Sequence, residues 1–369
     1  MSSLIIVYDT VTPIFLGNRI LDGVYAAQFA GASSIACLRD LAAQRGWQMM
    51  TADVFLQTRP ACDLALCISE RVTPRTDLLI DCGVIPAVIT CGESPNVDWR
   101  FYHYISVYTK KFKHVFIYRG ARERVKPPTQ FHTLYFPNAS RDVLPGLKWT
   151  EREFMVMIAS NKHRIQVAPD RPFIRMRELK RRFIWSCLQI VDPLFRFKDL
   201  YKERLPVIRY FSAHPGFRLY GAGWDGPISG FNVDYQRMVQ KAYAGPLEYT
   251  RKLETMRRFK YAICFENCEF PGHITEKIFD CFLAGCIPIY YGAPDITDFV
   301  PAETLIDFRK FRDMIDLDQY LRGLSEAEAH RYLEAARDFL VSAAFDKFYQ
   351  GTFVNELLDI LEQECESIS

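Results

Sequence analysis

The sequence predicts an α/β protein built from two Rossmann-like domains, on three observations. At 369 residues the chain is too long for one compact core of usual size. Short, wholly apolar runs recur with amphipathic segments between them, the order expected of buried parallel strands and their covering helices. Apolar residues make up 49% of the chain against 24% charged, ample for packed cores.

The elements follow in order. Residues 4–8 form a buried strand, and residues 34–45 have helical periodicity closed by Gly46. Residues 61–68, 78–81 and 87–90 supply further strand candidates. Glu93 follows the last of these, at a strand's carboxyl end where α/β proteins commonly build sites. Residues 119–140 contain Pro127, Pro128 and Pro137 and read as a strand-poor connection. A boundary near Arg141 to Lys148 divides the chain into a first domain, 1–145, a second, 146–325, and closing helices, 326–369. The second domain opens with a strand at 154–159, and its sheet ends near Asp307. Ser325 with Glu328 makes a capping box, and 352–364 is a final amphipathic helix.

The stretch from Lys260 to Gly292 carries the chemistry. Residues 261–265 and 287–291 are apolar strands flanking a loop with Glu266, Asn267, Pro271 and Gly272. Thr275 is a good N-cap for a helix whose Ile278, Phe279, Phe282 and Leu283 share one side and which Gly285 can close. A helix amino terminus beyond a parallel strand attracts phosphate through free N–H groups and the helix dipole. Lys277 adds a mobile charge there, whereas Glu276 repels phosphate and suits sugar hydroxyls further along a ligand. On pattern alone the alternative stays open, with Glu276 complementing the dipole and Lys277 solvated.

Several classes are excluded or declined. The net charge of +2 gives no reason to invoke nucleic acid. The eleven cysteines include no Cys-x-x-Cys pair, and Cys264, Cys281 and Cys286 read as reduced core residues. Gly221 to Gly226 fits a dinucleotide fingerprint, but Pro227 and Gly230 oppose the helix that must follow. Asp316 and Asp318 mimic a metal-binding Asp-x-Asp, yet on a helix they face different ways and read as surface. His103, His114, His132 and His163 lack paired helical spacing, so no metal site is expected. The amino-terminal apolar run is too short for a signal peptide, and no segment is long enough to span a bilayer, so a cytoplasmic protein is expected. Basic stretches at 119–126 and 171–182 suit hydrated faces or peripheral contact with an anionic membrane surface.

The central stretch resembles the signature of the α-1,3/1,4-fucosyltransferase family. It shows Phe265-Glu266-Asn267, His273-Ile274-Thr275-Glu276-Lys277, Ala284-Gly285-Cys286-Ile287-Pro288 and Gly292-Ala293-Pro294 in the family's order and spacing. Cys268 and His273 depart from the Ser or Thr and the Tyr usual there. Outside this core, residues 204–221 resemble a helix opened by a phosphate-binding Arg and running into a strand that ends Tyr220-Gly221. Residues 154–162 resemble the strand and Ser160-Asn161 turn that open the same domain, and residues 91–96 the Glu-Ser-Pro turn with the family's general base. Between Lys162 and Tyr201 the match lapses as if by insertion, which leaves Arg181 competing with Arg204.

The resemblance implies a GT-B-like fold, two Rossmann-like domains facing a cleft, with closing helices that pack back across both. It implies an inverting transfer of L-fucose from GDP-fucose to an oligosaccharide or glycolipid acceptor by an enzyme of bacterial type without a membrane anchor. Donor contacts fall to Arg204, Glu266, Asn267, Ile274, Thr275, Glu276 and Lys277, with Ser160, Asn161, Tyr220, His273 and Arg181 beside them. Glu93 becomes the general base, against the plainer reading of a turn carboxylate that bonds its own backbone. No cofactor or metal is expected, because Lys277, Arg204 and the helix terminus supply cationic stabilisation of the leaving diphosphate. A different GDP-sugar, or a glycan-binding homologue without catalysis, remains the alternative.

Overall fold

A computed structural model describes residues 4–161, 184–226, 228 and 232–368. The chain divides into two compact units, Met1–Arg141 with Ala343–Ser369, and Asp142–Ser342. Residues 343–369 thus group with the first unit, while the helix Glu326–Val341 stays in the second.

The first unit is built on a six-stranded parallel sheet in the order β2-β1-β3-β4-β5-β6. Its strands are β1 (Leu4–Asp9), β2 (Gln48–Thr51), β3 (Leu64–Ser69), β4 (Ile85–Thr90), β5 (His114–Ile117) and β6 (Gln130–Thr133). β1 is buried along its whole length, as an apolar run covered on both faces must be. Residues 78–81, expected as a strand, belong instead to the helix Pro74–Asp81. Thr73 and Thr76 close a reciprocal capping box there and Pro74 starts the first turn, a local signal stronger than the three-residue apolar run Leu78 to Ile80. The 119–140 connection likewise contains β6, a short edge strand whose QFHT sequence has little strand character and is held by its ladder to β5.

That ladder brings His114 and His132, eighteen positions apart in sequence, to a ring nitrogen separation of 3.1 Å. The chain continues outward to the final helix, Gln350–Ile368, with His114 Nε2 3.3 Å from Glu364 Oε1 and His132 Nδ1 3.0 Å from Glu356 Oε1. The helix is further held where the backbone amide of Gln350 donates to the Asn138 carbonyl at 2.9 Å.

The second unit carries a five-stranded parallel sheet in the order β11-β10-β9-β7-β8. Its strands are β7 (Glu153–Ile158), β8 (Phe217–Tyr220), β9 (Phe259–Phe265), β10 (Ile287–Tyr291) and β11 (Ile306–Asp307). Ser325 and Glu328 form the expected capping box at the head of Glu326–Val341. One face of the sheet packs Tyr261, Ile263, Phe265, Ile287 and Ile289 with Val207, Ile208 and Phe211 of the helix Arg204–Phe211. Each fully buried aliphatic or aromatic side chain of this kind contributes about 1.5–3 kcal/mol. Among the described residues, no helix is long and apolar enough to cross a membrane.

Candidate functional site

The second sheet grows in two directions from its middle. β8 is added on one side of β7, while β9, β10 and β11 follow on the other. Loops that leave the carboxyl ends of β7 and β9 therefore diverge to opposite faces and open a crevice between them. Residues 159–161 leave β7, and residues 266–275 leave β9 to reach the helix Glu276–Leu283.

Glu266, the first residue past β9, is fully buried. Its carboxylate accepts from the Thr275 backbone N–H at 2.9 Å, from Thr275 Oγ1 at 2.9 and 3.0 Å, and from Lys277 Nζ at 2.9 Å. Burial opposes ionisation of this carboxyl, but Lys277, His273 and the Thr275 amide outweigh it and hold the group below its ordinary value. Burial likewise disfavours the Lys277 ammonium, and Glu266 and Glu276 more than compensate, so its pKa is raised. Lys277 is therefore an anchored charge and not the mobile one expected.

Thr275 does stand at the N-cap, but its hydroxyl turns to Glu266 and makes no bond to the helix amides. The hydroxyl proton goes to the carboxylate, and the hydroxyl oxygen accepts instead from Lys277 Nζ at 2.9 Å. Gly292 explains the Gly-Ala-Pro turn after β10: a Cβ there would lie 2.5 Å from Glu266 Cγ and would also strike the Tyr290 hydroxyl. The Gly272 N–H donates to Asp295 Oδ1 at 2.9 Å, fastening the loop's far end.

Arg204 reaches the same loop from the first residue of its helix. Its Nη2 donates to the carbonyls of Phe265 and Glu266 at 2.8 and 3.1 Å and lies 3.4 Å from Asn267 Oδ1. Its guanidinium, pulled down in pKa by burial, stacks 4.7 Å from the Tyr201 ring centre. His273 is buried, with Nδ1 4.0 Å from Glu266 Oε2; burial lowers its pKa to about 4, with Glu266 opposing less strongly. Ile274 has its side chain in the core. Glu276 lies 3.9 Å from Lys252 Nζ and 4.0 Å from Lys277 Nζ.

At the β7 side, Ser160 is exposed and Asn161 is buried. The Asn161 backbone N–H donates to Ala222 O at 2.9 Å, and its side-chain amide to Gly223 O at 3.0 Å. Tyr220, half-buried, ends the neighbouring strand. Gly221, at φ +127°, brings its backbone so close to the Ala159 carbonyl that any Cβ would collide with it. Gly221 thus serves a close approach of two loops, and the next helix, Val233–Ala242, begins only later. Arg181 and the basic stretch 171–182 lie outside the described residues.

Glu93 belongs to the first unit, on an exposed turn at the carboxyl end of β4. Two buried phenols hold that turn by its carbonyls: Tyr118 Oη donates to Gly92 O at 2.9 Å and Tyr102 Oη to Glu93 O at 2.8 Å. Asp98 then caps the helix Trp99–Tyr108 and pairs with Arg71.

Other expectations need correction or extension. Asp318, expected at the surface, is 7% exposed and pairs with Arg322 at 2.9 Å, while Asp316 meets Arg312 at 3.4 Å. Each aspartate has its own arginine, and among the described residues no three His, Cys, Asp or Glu side chains converge as a metal-ligand set. The end of the 162–201 stretch, where the resemblance lapses, is hydrogen-bonded to the loop that follows β9. The Leu200 N–H donates to Asn267 O at 3.0 Å and the Glu269 N–H to Lys198 O at 2.9 Å. Lys198 in turn donates to the Tyr291 hydroxyl at 2.9 Å. Lys252 and Asp280, 2.5 Å apart behind Glu276, were also missed, since neither belongs to the recognised motif.

Known proteins extend this description. Residues 229–356 match the family described as glycosyltransferase family 10 (fucosyltransferase) C-term. An α-(1,3)-fucosyltransferase of Helicobacter pylori is 34% identical over 119 residues, 31% of this chain and 24% of that protein. The human GDP-fucose protein O-fucosyltransferase 3 is 35% identical over 68 residues, 18% of this chain and 14% of that protein. The chain thus aligns with a quarter or less of the length of these curated relatives. An α-glucosyltransferase solved in complex with UDP superposes with a TM-score of 0.55 at 10% identity, covering 98% of this chain and 100% of that one. This last likeness shows the fold, two parallel-sheet α/β domains of the GT-B class. Residues 229–356 are thus similar to the C-terminal part of glycosyltransferase family 10 (fucosyltransferase).

Proposed function

We propose that the protein transfers L-fucose from GDP-β-L-fucose to a hydroxyl of a GlcNAc-containing or related glycan, forming an α-1,3 linkage with inversion. The observation that carries this reading is the cationic cluster of Lys277 and Arg204 around the 266–275 loop, at the amino terminus of a helix inside the family 10 segment. Breaking the sugar–phosphate bond releases a diphosphate whose negative charge grows in the transition state. Lys277, Arg204 and the first-turn amides of Glu276–Leu283 meet that charge by preorganised electrostatics. Glu276 accepts from ribose hydroxyls, and Asn267 faces the phosphate or fucose region. Glu266 serves by organising the loop.

The acceptor hydroxyl is too weakly acidic to ionise near neutrality. Glu93 takes its proton as the new bond forms, a contribution of about 10² to 10⁴ fold. A single displacement at the anomeric carbon turns the β-linked donor into an α-linked product. The scheme assigns no step to a divalent cation. Turnover that persists in EDTA is expected, and its loss would refute that part.

We take the acceptor to be an oligosaccharide or a glycolipid such as lipopolysaccharide, met at the cytoplasmic face of a bacterial inner membrane. The likeness to a protein O-fucosyltransferase favours a second acceptor class, a protein hydroxyl. Purified protein incubated with a panel of GDP-sugars and both acceptor classes tests all of this by product analysis. Turnover of GDP-mannose but not GDP-fucose would end the leading reading.

A further inference from the structure

We infer that Lys252 is a positioning residue of the donor site, fixing Glu276 for contact with the ribose hydroxyls of a guanosine diphosphate sugar. The inference rests on the proposed GDP-sugar reading and names a residue outside its motif.

Charged groups alternate in sign through the second unit along one path. Asp280 lies 2.5 Å from Lys252, Lys252 lies 3.9 Å from Glu276, Glu276 lies 4.0 Å from Lys277, and Lys277 lies 2.9 Å from Glu266. Glu276 and Asp280 are four residues apart on one helix, where like charges on the same face repel. Lys252 comes from a different element, the short helix Lys252–Met256 that leads into β9. Its ammonium stands between the two carboxylates and cancels that repulsion.

Lys277 is poorly suited to the same task, because Glu266 already engages it at 2.9 Å. A phosphate would draw on it further. Lys252 is thus the cation available to hold Glu276 when Lys277 turns to the diphosphate. The side chains of Lys252 and Glu276 are only 15% and 17% exposed, so water screens the pair little. The tighter contact with Asp280 gives Lys252 a structural role too, which a test must separate from positioning.

The ratio of affinities for GDP and 2′,3′-dideoxy-GDP, measured by calorimetry on the full chain, makes that separation. Ribose hydroxyls bonded to a well-placed Glu276 give the wild type a preference for GDP of about tenfold or more. In Lys252→Met the preference falls to about twofold or less, and Lys252→Arg restores it. If Lys252→Met fails to fold, the Lys252→Met/Asp280→Asn double variant removes the stranded carboxylate and carries the same expectation. A full preference retained in a folded Lys252→Met or double variant overturns the role of Lys252. A wild type that binds both nucleotides equally overturns the ribose role of Glu276 and this inference with it, and one that binds neither overturns the GDP-sugar reading itself.

Discussion

Lowering the pH from 7.5 to 5.0 should destabilise the second unit through His273 alone by an amount that can be worked out. The buried imidazole titrates at about 4 in the folded protein, against about 6.5 when unfolded. The unfolded chain therefore takes up a proton first as pH falls. Stability is full above the unfolded value and drains away as the pH drops from about 6.5 towards 4. Linkage between these values gives a loss of about 2 kcal/mol at pH 5.0, and the remainder of a total near 3.4 kcal/mol below it. Glu266 confuses the comparison little, because its carboxyl is held below its ordinary value in the folded state and an ordinary glutamate is mostly ionised at about pH 5.0. Urea unfolding followed by tryptophan fluorescence, which reports on the buried Trp149 and Trp224 of this unit, should be run at both pH values on the wild type and on His273→Gln. The wild type should lose about 2 kcal/mol more than the variant over that interval. Equal losses in the two proteins would mean that the imidazole is not held neutral beside Glu266 and Lys277.

The remaining predictions concern the two halves of the proposed chemistry. Lys277→Ala removes a charge-assisted contact and should weaken GDP binding by roughly ten- to a hundredfold; unaltered binding by calorimetry would count against the phosphate role. The same variant leaves Glu266 buried without its lysine and should cost about 3 kcal/mol of unfolding free energy in urea. Glu93→Gln should lower turnover by about 10² to 10⁴ fold with GDP-fucose affinity nearly intact, and unchanged turnover would remove Glu93 from the mechanism. Gly292→Ala drives a methyl group into Glu266 and Tyr290. It should lower the melting temperature and GDP affinity together, and a variant with both unchanged would show that the turn does not brace the loop.

The central β-loop-helix-β unit was legible because its signals are local. Tyr261 to Phe265 and Ile287 to Tyr291 are continuous apolar runs, and both are fully buried neighbours in the sheet. β2, β5 and β6 were not legible, since QMMT, HVFI and QFHT are short and owe their strand geometry to partners distant in sequence. The misassigned 78–81 run shows the converse error, in which three apolar residues, Leu78 to Ile80, outweighed the capping chemistry of Thr73 just upstream. In the site, motif spacing located Glu266, Thr275 and Lys277, but bond direction lay beyond it. A sequence marks Thr275 as a cap, and only the fold reveals that its hydroxyl serves a carboxylate nine residues earlier. Lys252 reaches Glu276 and Lys198 reaches Tyr291 from separate elements, and no periodicity within one segment encodes that approach.

The pairing of Lys277 with Glu266 has a kinetic side. Lys277 already has an internal carboxylate at 2.9 Å, so on the proposed reaction nucleotide capture would be an exchange of counter-ions, with the diphosphate's greater charge favouring the trade. Such an exchange also runs backwards. On the proposed reaction, Glu266 would stand ready to reclaim the ammonium when the spent nucleotide begins to loosen, which would speed its departure. Tight grip in passage and easy parting afterwards can thus reside in one residue pair.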